Sequence, residues 1–310
     1  MLEGIKRNRK IIIISICAAL LLISSVLFTF KLFNVPSWNE LFKLSGITDM
    51  DKEIDNYDLQ VHFIDVGKAD SILIKYKDKN ILIDAGDMDS KNSVVQYMKR
   101  CGVKKLDLLV NTHPDKDHLG QMTNVVYEFD IDKFIFSSVP DSIKPTSYAY
   151  ESLWFALSHK EVITKDVKSG DDLSIDDLSI KVIAPITKNE DNTNNNSIVL
   201  KMTYKDDSFL FMGDAQKEEE DEILDNKGDV AADLIKIGHH GSKTSTSKDF
   251  LNAVNPILAV ISVGEDSNDL PKQETLQKLY EKGIEVYRTD LNQTVTAVSN
   301  GDGIKVFTQK

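Results

Sequence analysis

Two rhythms of apolar residues divide the chain. Between Lys10 and Lys31 run 20 residues without a charge, and 16 of them are Ile, Leu, Val, Ala, Phe or Cys. At about 1.5 Å per residue, a helix of that length spans about 30 Å, the hydrocarbon thickness of a bilayer. From residue 58 onward the apolar runs are short, β-rich and bounded by turn signals such as Gly67 and Asp78-Lys79. They predict strands over 59–66, 71–76, 80–84 and 106–111, with a helix over 89–101 that Gly102 ends. The second half repeats the grammar. Strands are predicted over 133–137, 178–183, 198–204, 208–212, 233–237, 257–263, 285–287, 294–299 and 304–308. Helices are predicted over 215–225, 248–254 and 272–282. Hairpins and strand–helix pairs are mixed, and neither class is segregated. That pattern fits an α/β layered sandwich, with two mixed sheets inside and helices outside.

The residues flanking the long apolar run orient it. Lys6, Arg7, Arg9 and Lys10 precede it, so the positive-inside bias places the N-terminus in the cytoplasm and the remainder outside. The run exceeds the roughly 7–15 residues of a signal-peptide core and no Ala-x-Ala site follows, which predicts an uncleaved anchor. Cys17 lies within the run after Ser15-Ile16, a poor context for a lipoprotein site. The expected partition is a basic tail over 1–10, a single-pass membrane anchor over 11–31, a linker over 32–55 and one outer domain over 56–310. In the linker, Trp38, Leu41 and Phe42 have helical spacing and suit either a membrane interface or a plain linker helix.

Composition narrows the classes. With 41% hydrophobic and 28% charged residues, the chain is neither disordered, fibrous nor a disulfide scaffold. The net charge of -12 conceals an asymmetry, because residues 55–310 hold 30 Lys and Arg against 44 Asp and Glu, or -14. Such a surface does not grip nucleic acid by overall charge, although a local site remains open. Cys101 is the single cysteine of the outer domain, which therefore has no internal disulfide.

The densest chemistry lies in Thr112-His113-Pro114-Asp115-Lys116-Asp117-His118-Leu119-Gly120, directly after an apolar strand. In an extended loop His113 and Asp115 point to the same side, and Asp117 and His118 open the next helix. Three further strand ends carry Asp or His where an apolar run stops. These are Ile83-Asp84-Ala85-Gly86, Met212-Gly213-Asp214 and Ile237-Gly238-His239-His240-Gly241-Ser242. Taken singly, each is as well explained by a turn-capping Asp or a solvated His. Four such ends together point to a metal centre, because strand ends in layered folds are where sites gather. Residues 192–196 read as a polar loop. Gly238 to Thr244 imitates a phosphate-binding loop, but two residues separate its glycines where that motif needs four.

These segments resemble the metallo-β-lactamase superfamily, and within it the hydrolase domain of ComEC-type DNA-uptake proteins. The carriers are His62-Phe63-Ile64-Asp65-Val66-Gly67 with Asp70-Ser71, the turn at Asp84, Thr112 to Gly120, Asn194-Asn195-Asn196-Ser197-Ile198-Val199-Leu200, Gly213-Asp214-Ala215, Gly238 to Ser245 and Tyr287-Arg288-Thr289-Asp290-Leu291. The resemblance implies a four-layer αββα sandwich, here preceded by one transmembrane helix, with two divalent metal ions at one edge. It gives His113 and Asp115 to the first metal, Asp117 and His118 to the second, Asp214 as the bridging carboxylate, and Asp84 as the residue orienting the metal loop. His239 or His240 supplies the last ligand, with His239 preferred and His240 left as substrate contact or proton donor. The implied catalytic set is Asp117, His240 and Asp84. Asn196, Ser242, Lys243 and Thr244 are the candidate substrate contacts, with Lys243, Thr244 and Ser245 beside a helix start where a phosphate can sit.

Departures from the superfamily pattern matter. Asp115 replaces a second His, as in ComEC-type domains, and Gly67-Lys68-Ala69-Asp70 stands where they carry Gly-Gln-Gly-Asp. No further His occurs between His118 and Asp214 except His159, which reads as a surface residue, and the Asn-rich segment occupies that place. A first site richer in oxygen favours Mn²⁺ over Zn²⁺ and argues against a β-lactamase or lactonase. The expected reaction is metal-assisted hydrolysis of a phosphodiester, DNA foremost. A lipid, teichoic-acid or choline headgroup is the alternative, supported by the acidic charge, and a catalytically silent metal-binding module is the second. No protein partner is evident.

Overall fold

Short runs of Val, Ile, Leu and Phe close into two sheets. The computed structural model describes residues 53–90, 92–264 and 269–310. The expected anchor over 11–31 and the linker residues Trp38, Leu41 and Phe42 lie outside them. Among the described residues, no helix is long and apolar enough to cross a membrane.

The first sheet contains β1 (Leu59–Phe63), β2 (Ile72–Tyr76), β3 (Lys79–Ile83), β4 (Lys105–Val110), β5 (Asp130–Phe136), β6 (Ile163–Asp166), β13 (Val295–Ser299) and β14 (Ile304–Thr308). Its order is β14-β13-β1-β2-β3-β4-β5-β6. The second contains β7 (Ser179–Ala184), β8 (Val199–Tyr204), β9 (Asp207–Phe211), β10 (Leu234–Lys236), β11 (Leu258–Ile261) and β12 (Glu285–Arg288), in the order β12-β11-β10-β9-β8-β7. Hairpins make the antiparallel parts, β1-β2-β3 and β7-β8-β9. Crossovers make the parallel parts, β3 to β6 and β9 to β12.

Side-chain parity builds the layers. Along β4, Leu108 and Val110 pack into the core between the sheets, and Leu109 between them packs into the cluster on the outer face. The inner core joins Val61, Ile74, Ile81 and Val110 to Ile180, Leu200, Phe209 and Val260. On the outer face of the first sheet, α1 (Val94–Arg100), α3 (Met122–Glu128) and α4 (Tyr148–His159) bury Met98, Val125 and Leu153 against Leu82 and Leu109. On the second sheet, α5 (Lys217–Asp225), α6 (Lys248–Val254) and α7 (Gln273–Glu281) bury Ile223, Phe250 and Leu279 beside Leu210 and Ile235. Each such side chain contributes about 1.5–3 kcal/mol by leaving water. The result is the expected αββα order. Two short helices, α2 (Lys116–Leu119) and α8 (Thr289–Asn292), sit at loops.

Several elements depart from expectation. The first helix starts at Val94, not at residue 89, because Ser93 caps it through a bond from Gln96 N to its Oγ (3.3 Å). The edge strand β6 carries no apolar alternation and is mostly exposed, so neither period signals it. The helix expected to open at Asp117 is two short ones, Lys116–Leu119 and Met122–Glu128, and α4 falls where no span was assigned.

The parallel strands of both sheets set up the site. The loops after β3, β4, β9, β10 and β11 carry Asp84, His113, Asp214, His240 and Ser262 to one edge of the sandwich.

Candidate metal centre

Asp84 follows β3 in a left-handed conformation (φ 55°) that aims its buried carboxylate at the end of β4. Thr112 donates to it twice, from N (2.8 Å) and from Oγ1 (2.6 Å). His118 Nδ1 lies 2.8 Å from Oδ2, the oxygen that Thr112 Oγ1 also meets, and Asn111 ties the same carboxylate to the His113 carbonyl. Asp84 therefore accepts the His118 Nδ1 proton and leaves the Nε2 lone pair facing Asp214 Oδ1 at 3.4 Å. The His113 ring packs against that of His118, with centroids 4.1 Å apart.

Gly213 lets the two sheets approach. Its φ is +52°, and a Cβ there would stand 3.0 Å from Thr112 Cβ and 3.1 Å from Ser197 Oγ. Ser197 Oγ accepts from Asp214 N (3.1 Å), which fixes the next carboxylate at the seam.

His239 and His240 sit in a turn over Gly238–Gly241, and both are left-handed, at φ 47° and 52°. Such a conformation costs a non-glycine residue about 1–3 kcal/mol, and strain of this kind clusters at functional sites. The turn sends the two rings apart. His240 is fully buried; its Nδ1 donates to the Ser262 carbonyl (2.9 Å) and its Nε2 faces Asp117 Oδ2 (3.6 Å) and Asp214 Oδ2 (3.7 Å). The His239 side chain keeps 25% exposure, and its Nε2 is 3.9 Å from Asp214 Oδ2. Gln216 Nε2 donates to His239 Nδ1 (3.2 Å), which puts the ring proton on Nε2. His239 was the expected ligand; the cluster of converging ligand atoms includes His240 and not His239. His240 presents a lone pair to the cluster, and His239 presents a proton.

Five buried polar atoms here lack a hydrogen-bond partner: Asp70 Oδ1, His113 Nε2, His118 Nε2, Asp214 Oδ1 and His240 Nε2. Buried polar atoms are satisfied in the large majority of cases, so five orphans in one place need a common cause. Their ligand atoms fall into overlapping groups within 4.8 Å: His113, His118 and Asp214; Asp117, His118 and His240; Asp70, Asp214 and His240; and Asp70, Asp84 and His118. Imidazole lone pairs and carboxylate oxygens are the donor set a divalent cation takes. The residues fit such ions.

Other candidates fall elsewhere. Asp115 begins α2 with its side chain 38% exposed, 3.8 Å from His113 Nε2, and belongs to none of these groups. Asn196 is no open substrate contact, because its amide is consumed inside its own loop by Asn189 and Asn192. Ser242 and Thr244 bond to each other, and Thr244 Oγ1 lies 3.0 Å from His239 Nδ1, so they brace that ring. Lys243 is exposed. His159 lies on the surface and stacks on Phe155, as expected. His62 is a core residue bonded with Tyr97, Gln60 and Thr296.

Asp70 and Lys236 received no role from the sequence. Lys236, wholly buried on β10, donates to Asp70 Oδ2 (2.7 Å) and to the Ile237 carbonyl (3.0 Å). A lysine within Leu234-Ile235-Lys236-Ile237 was the available signal, since a charge inside a buried strand needs a partner.

Electrostatics follow the crowding. Burial works against the charge on Asp214 and Asp117, but the imidazoles of His240 and His118 overcome it and hold both carboxyls well below the usual range. Burial likewise opposes the charge on His118 and His240, yet facing carboxylates raise both, Asp214 and Asp84 for the first and Asp214 and Asp117 for the second. Burial lowers His113 and His239.

This fold with this centre is that of a metallo-hydrolase. Residues 64–265 match the metallo-beta-lactamase superfamily, to which the chain belongs. It is 32% identical over 259 residues to ComE operon protein 3 of Bacillus subtilis (strain 168), covering 76% of this chain and 32% of that protein. It is 24% identical over 304 residues to Competence protein ComA of Neisseria gonorrhoeae, covering 95% of this chain and 39% of that one. The chain thus spans about a third of the length of these relatives. Among solved structures, the metallo hydrolase Igni18 of Ignicoccus hospitalis KIN4/I superposes with a TM-score of 0.51 at 18% identity, covering 76% of this chain and 98% of that one. The diiron β-hydroxylase CmlA of Streptomyces venezuelae gives 0.51 at 12%, with 81% and 54% covered. Both likenesses concern the fold alone.

Proposed function

We propose that this protein is a divalent-metal-dependent phosphodiesterase acting on DNA, with its hydrolase domain held outside the cell membrane by residues 11–31. The observation that carries the reading is the convergence of five orphaned donor atoms from strand ends of both sheets. The competence proteins among its relatives support DNA over a lipid or teichoic-acid headgroup.

His113, His118 and Asp214 would hold one cation, and Asp117 and His240 with Asp70 and the shared Asp214 a second. Three carboxylates among six donors favour Mn²⁺ over Zn²⁺. Bound cations supply positive charge that lowers the pKa of water and offsets charge developing on a phosphoryl group. The chain's own residues do the rest. Asp84 and the Ser262 carbonyl fix the His118 and His240 tautomers so that Nε2 faces inward. His239, braced by Gln216 and Thr244 with its Nε2 toward the centre, would hydrogen-bond through Nε2–H to the charge developing on the leaving oxygen, whose proton comes from solvent water.

The test is full-length protein in detergent, assayed with Mn²⁺ on labelled DNA and on phosphodiester headgroups, with metal content measured in parallel. Wild type is expected to cleave DNA and Asp117→Ala to lose at least about 100-fold. Equal cleavage by the variant, or turnover of headgroups only, overturns the assignment.

A further inference from the structure

Beside the metal loop the sandwich opens into a second space that the catalytic residues do not use. It is a cavity of about 990 Å³, at the upper end of the roughly 300–1,000 Å³ typical of small-molecule sites. Asn111 and Pro114, the neighbours of Thr112 and His113, form its wall toward the centre. Its other side is aromatic. Trp154 and Tyr150 come from α4 and Phe136 from β5, and Trp154 stands edge-on to Phe136 with centroids 4.9 Å apart and planes at 86°. These rings hold one another in place and remain partly exposed. Ser137 also lines the space, with its side chain buried and its Oγ without a partner. Lys144 and Lys188 line it as well, together with the acidic Asp141 and Glu151.

The lining selects its ligand. Rigid aromatic surface and a lone hydroxyl suit a planar, uncharged group with hydrogen-bonding edges. The lysines suit an anion joined to that group. A quaternary ammonium would fill little of the volume and has no hydrogen-bonding edge for the unpartnered Ser137 Oγ. A base within a duplex is stacked and cannot enter such a space, so the guest must come from an unpaired nucleotide.

We propose that this cavity receives a nucleobase of the substrate strand next to the scissile phosphodiester, and thereby selects unpaired DNA. The inference rests on the reading of the centre as a DNA phosphodiesterase. Trp154 and Tyr150 provide the stacking surface, Ser137 Oγ meets the base edge, and Lys188 or Lys144 meets the adjoining phosphate.

Full-length protein with Mn²⁺ is given three labelled substrates of equal length: a single strand, the same strand in a duplex, and a strand of abasic units. The single strand is expected to be cleaved about tenfold faster than either of the others, since one stacked base is worth about that factor. Trp154→Ala should bring the ratio of normal to abasic strand toward one. Ser137→Ala, which disturbs packing far less, should lower the same ratio. Trp154 and Trp38 are the two tryptophans of the chain, so in a Trp38→Phe background emission reports on the cavity. Quenching by a single-stranded oligonucleotide, and none by phosphorylcholine, is expected. Cleavage of all three substrates at one rate, or an unchanged ratio in both variants, overturns the inference while the phosphodiesterase reading stands. Absence of any DNA cleavage overturns that reading, and this inference with it. Quenching by phosphorylcholine alone overturns it in favour of a headgroup.

Discussion

His239 and His240 are neighbours with the same backbone hand, yet one ring is anchored to a backbone carbonyl and the other to a glutamine and a threonine. Their substitutions should therefore separate. His240→Ala is expected to lose bound metal, read by elemental analysis of the dialysed protein. His239→Ala should keep its metal and lose about 100–1,000-fold in turnover, the usual worth of one hydrogen-bond donor to developing negative charge. Asp84→Asn keeps the shape but weakens the acceptor for His118 Nδ1, and metal affinity should fall about 10–100-fold by competition titration. His62 behaves differently because it has no lone pair facing a ligand group. Burial, with Lys75 adding to it, lowers its pKa to about 3. A histidine depressed in the folded state stabilises the fold fully above its unfolded value of about 6.5 and loses that contribution as pH falls toward 3. Unfolding titrations should show a slope of about 1.4 kcal/mol per pH unit from this residue in that window, absent in His62→Gln.

The pair of Lys236 and Asp70 joins β10 in one sheet to the loop between β1 and β2 in the other. Asp70 N also donates to the Asp117 carbonyl (3.1 Å), so this loop and the metal loop move together. Removing one member of a buried ion pair costs about 3–5 kcal/mol, because it strands the other charge. Lys236→Met should lower the melting temperature in EDTA, and Mn²⁺ should recover part of the loss by giving Asp70 a new cation. A second buried carboxyl, Glu219 in the first turn of α5, has no hydrogen-bond partner, and burial, reinforced by Glu222, raises its pKa well above the usual value. For a raised acid the sign is opposite to that of His62. The fold loses about 1.4 kcal/mol per pH unit above about 4.5 until the folded value is reached. Glu219→Gln should therefore stabilise the protein at pH 8 and change little at pH 4.5, in paired melting curves.

Because the ligand groups come from both sheets, cation binding should stiffen the sandwich across its inner core. At 100 times the dissociation constant, a bound ion adds about 2.7 kcal/mol, or roughly 5–10 °C in melting temperature for a domain of this size. EDTA should remove that increment. The acidic charge of residues 55–310 finds a partial reason here, since Asp70, Asp84, Asp117 and Asp214 crowd one edge. The remaining excess leaves nucleic-acid contact to local features such as the cavity beside His113, not to a charged face.

Much of this architecture was readable from the chain. Alternating apolar residues in β1 and β7 state which face of the strand meets the core, because the side-chain period of a strand is two and a slip exposes the whole set, and the continuous apolar run of β11 states that both its faces are covered. Strand ends bearing Asp84, His113, Asp214 and the His239-His240 pair mark a site, because a charged group after a buried strand is costly unless something meets it. Contacts distant in sequence were not readable. Asp70 and Lys236 are 166 positions apart, and only the packing of two sheets makes them a pair. Whether His239 or His240 faces inward depends on two left-handed backbone angles and a carbonyl on a neighbouring strand, none of which local sequence encodes. Asn196 illustrates the converse, since residue type suggested a substrate contact, but hydrogen bonds within its own loop occupy the amide. The chain's local chemistry thus states which groups must be buried or met by a partner, and the joining of two sheets at one edge determines which partner each one meets.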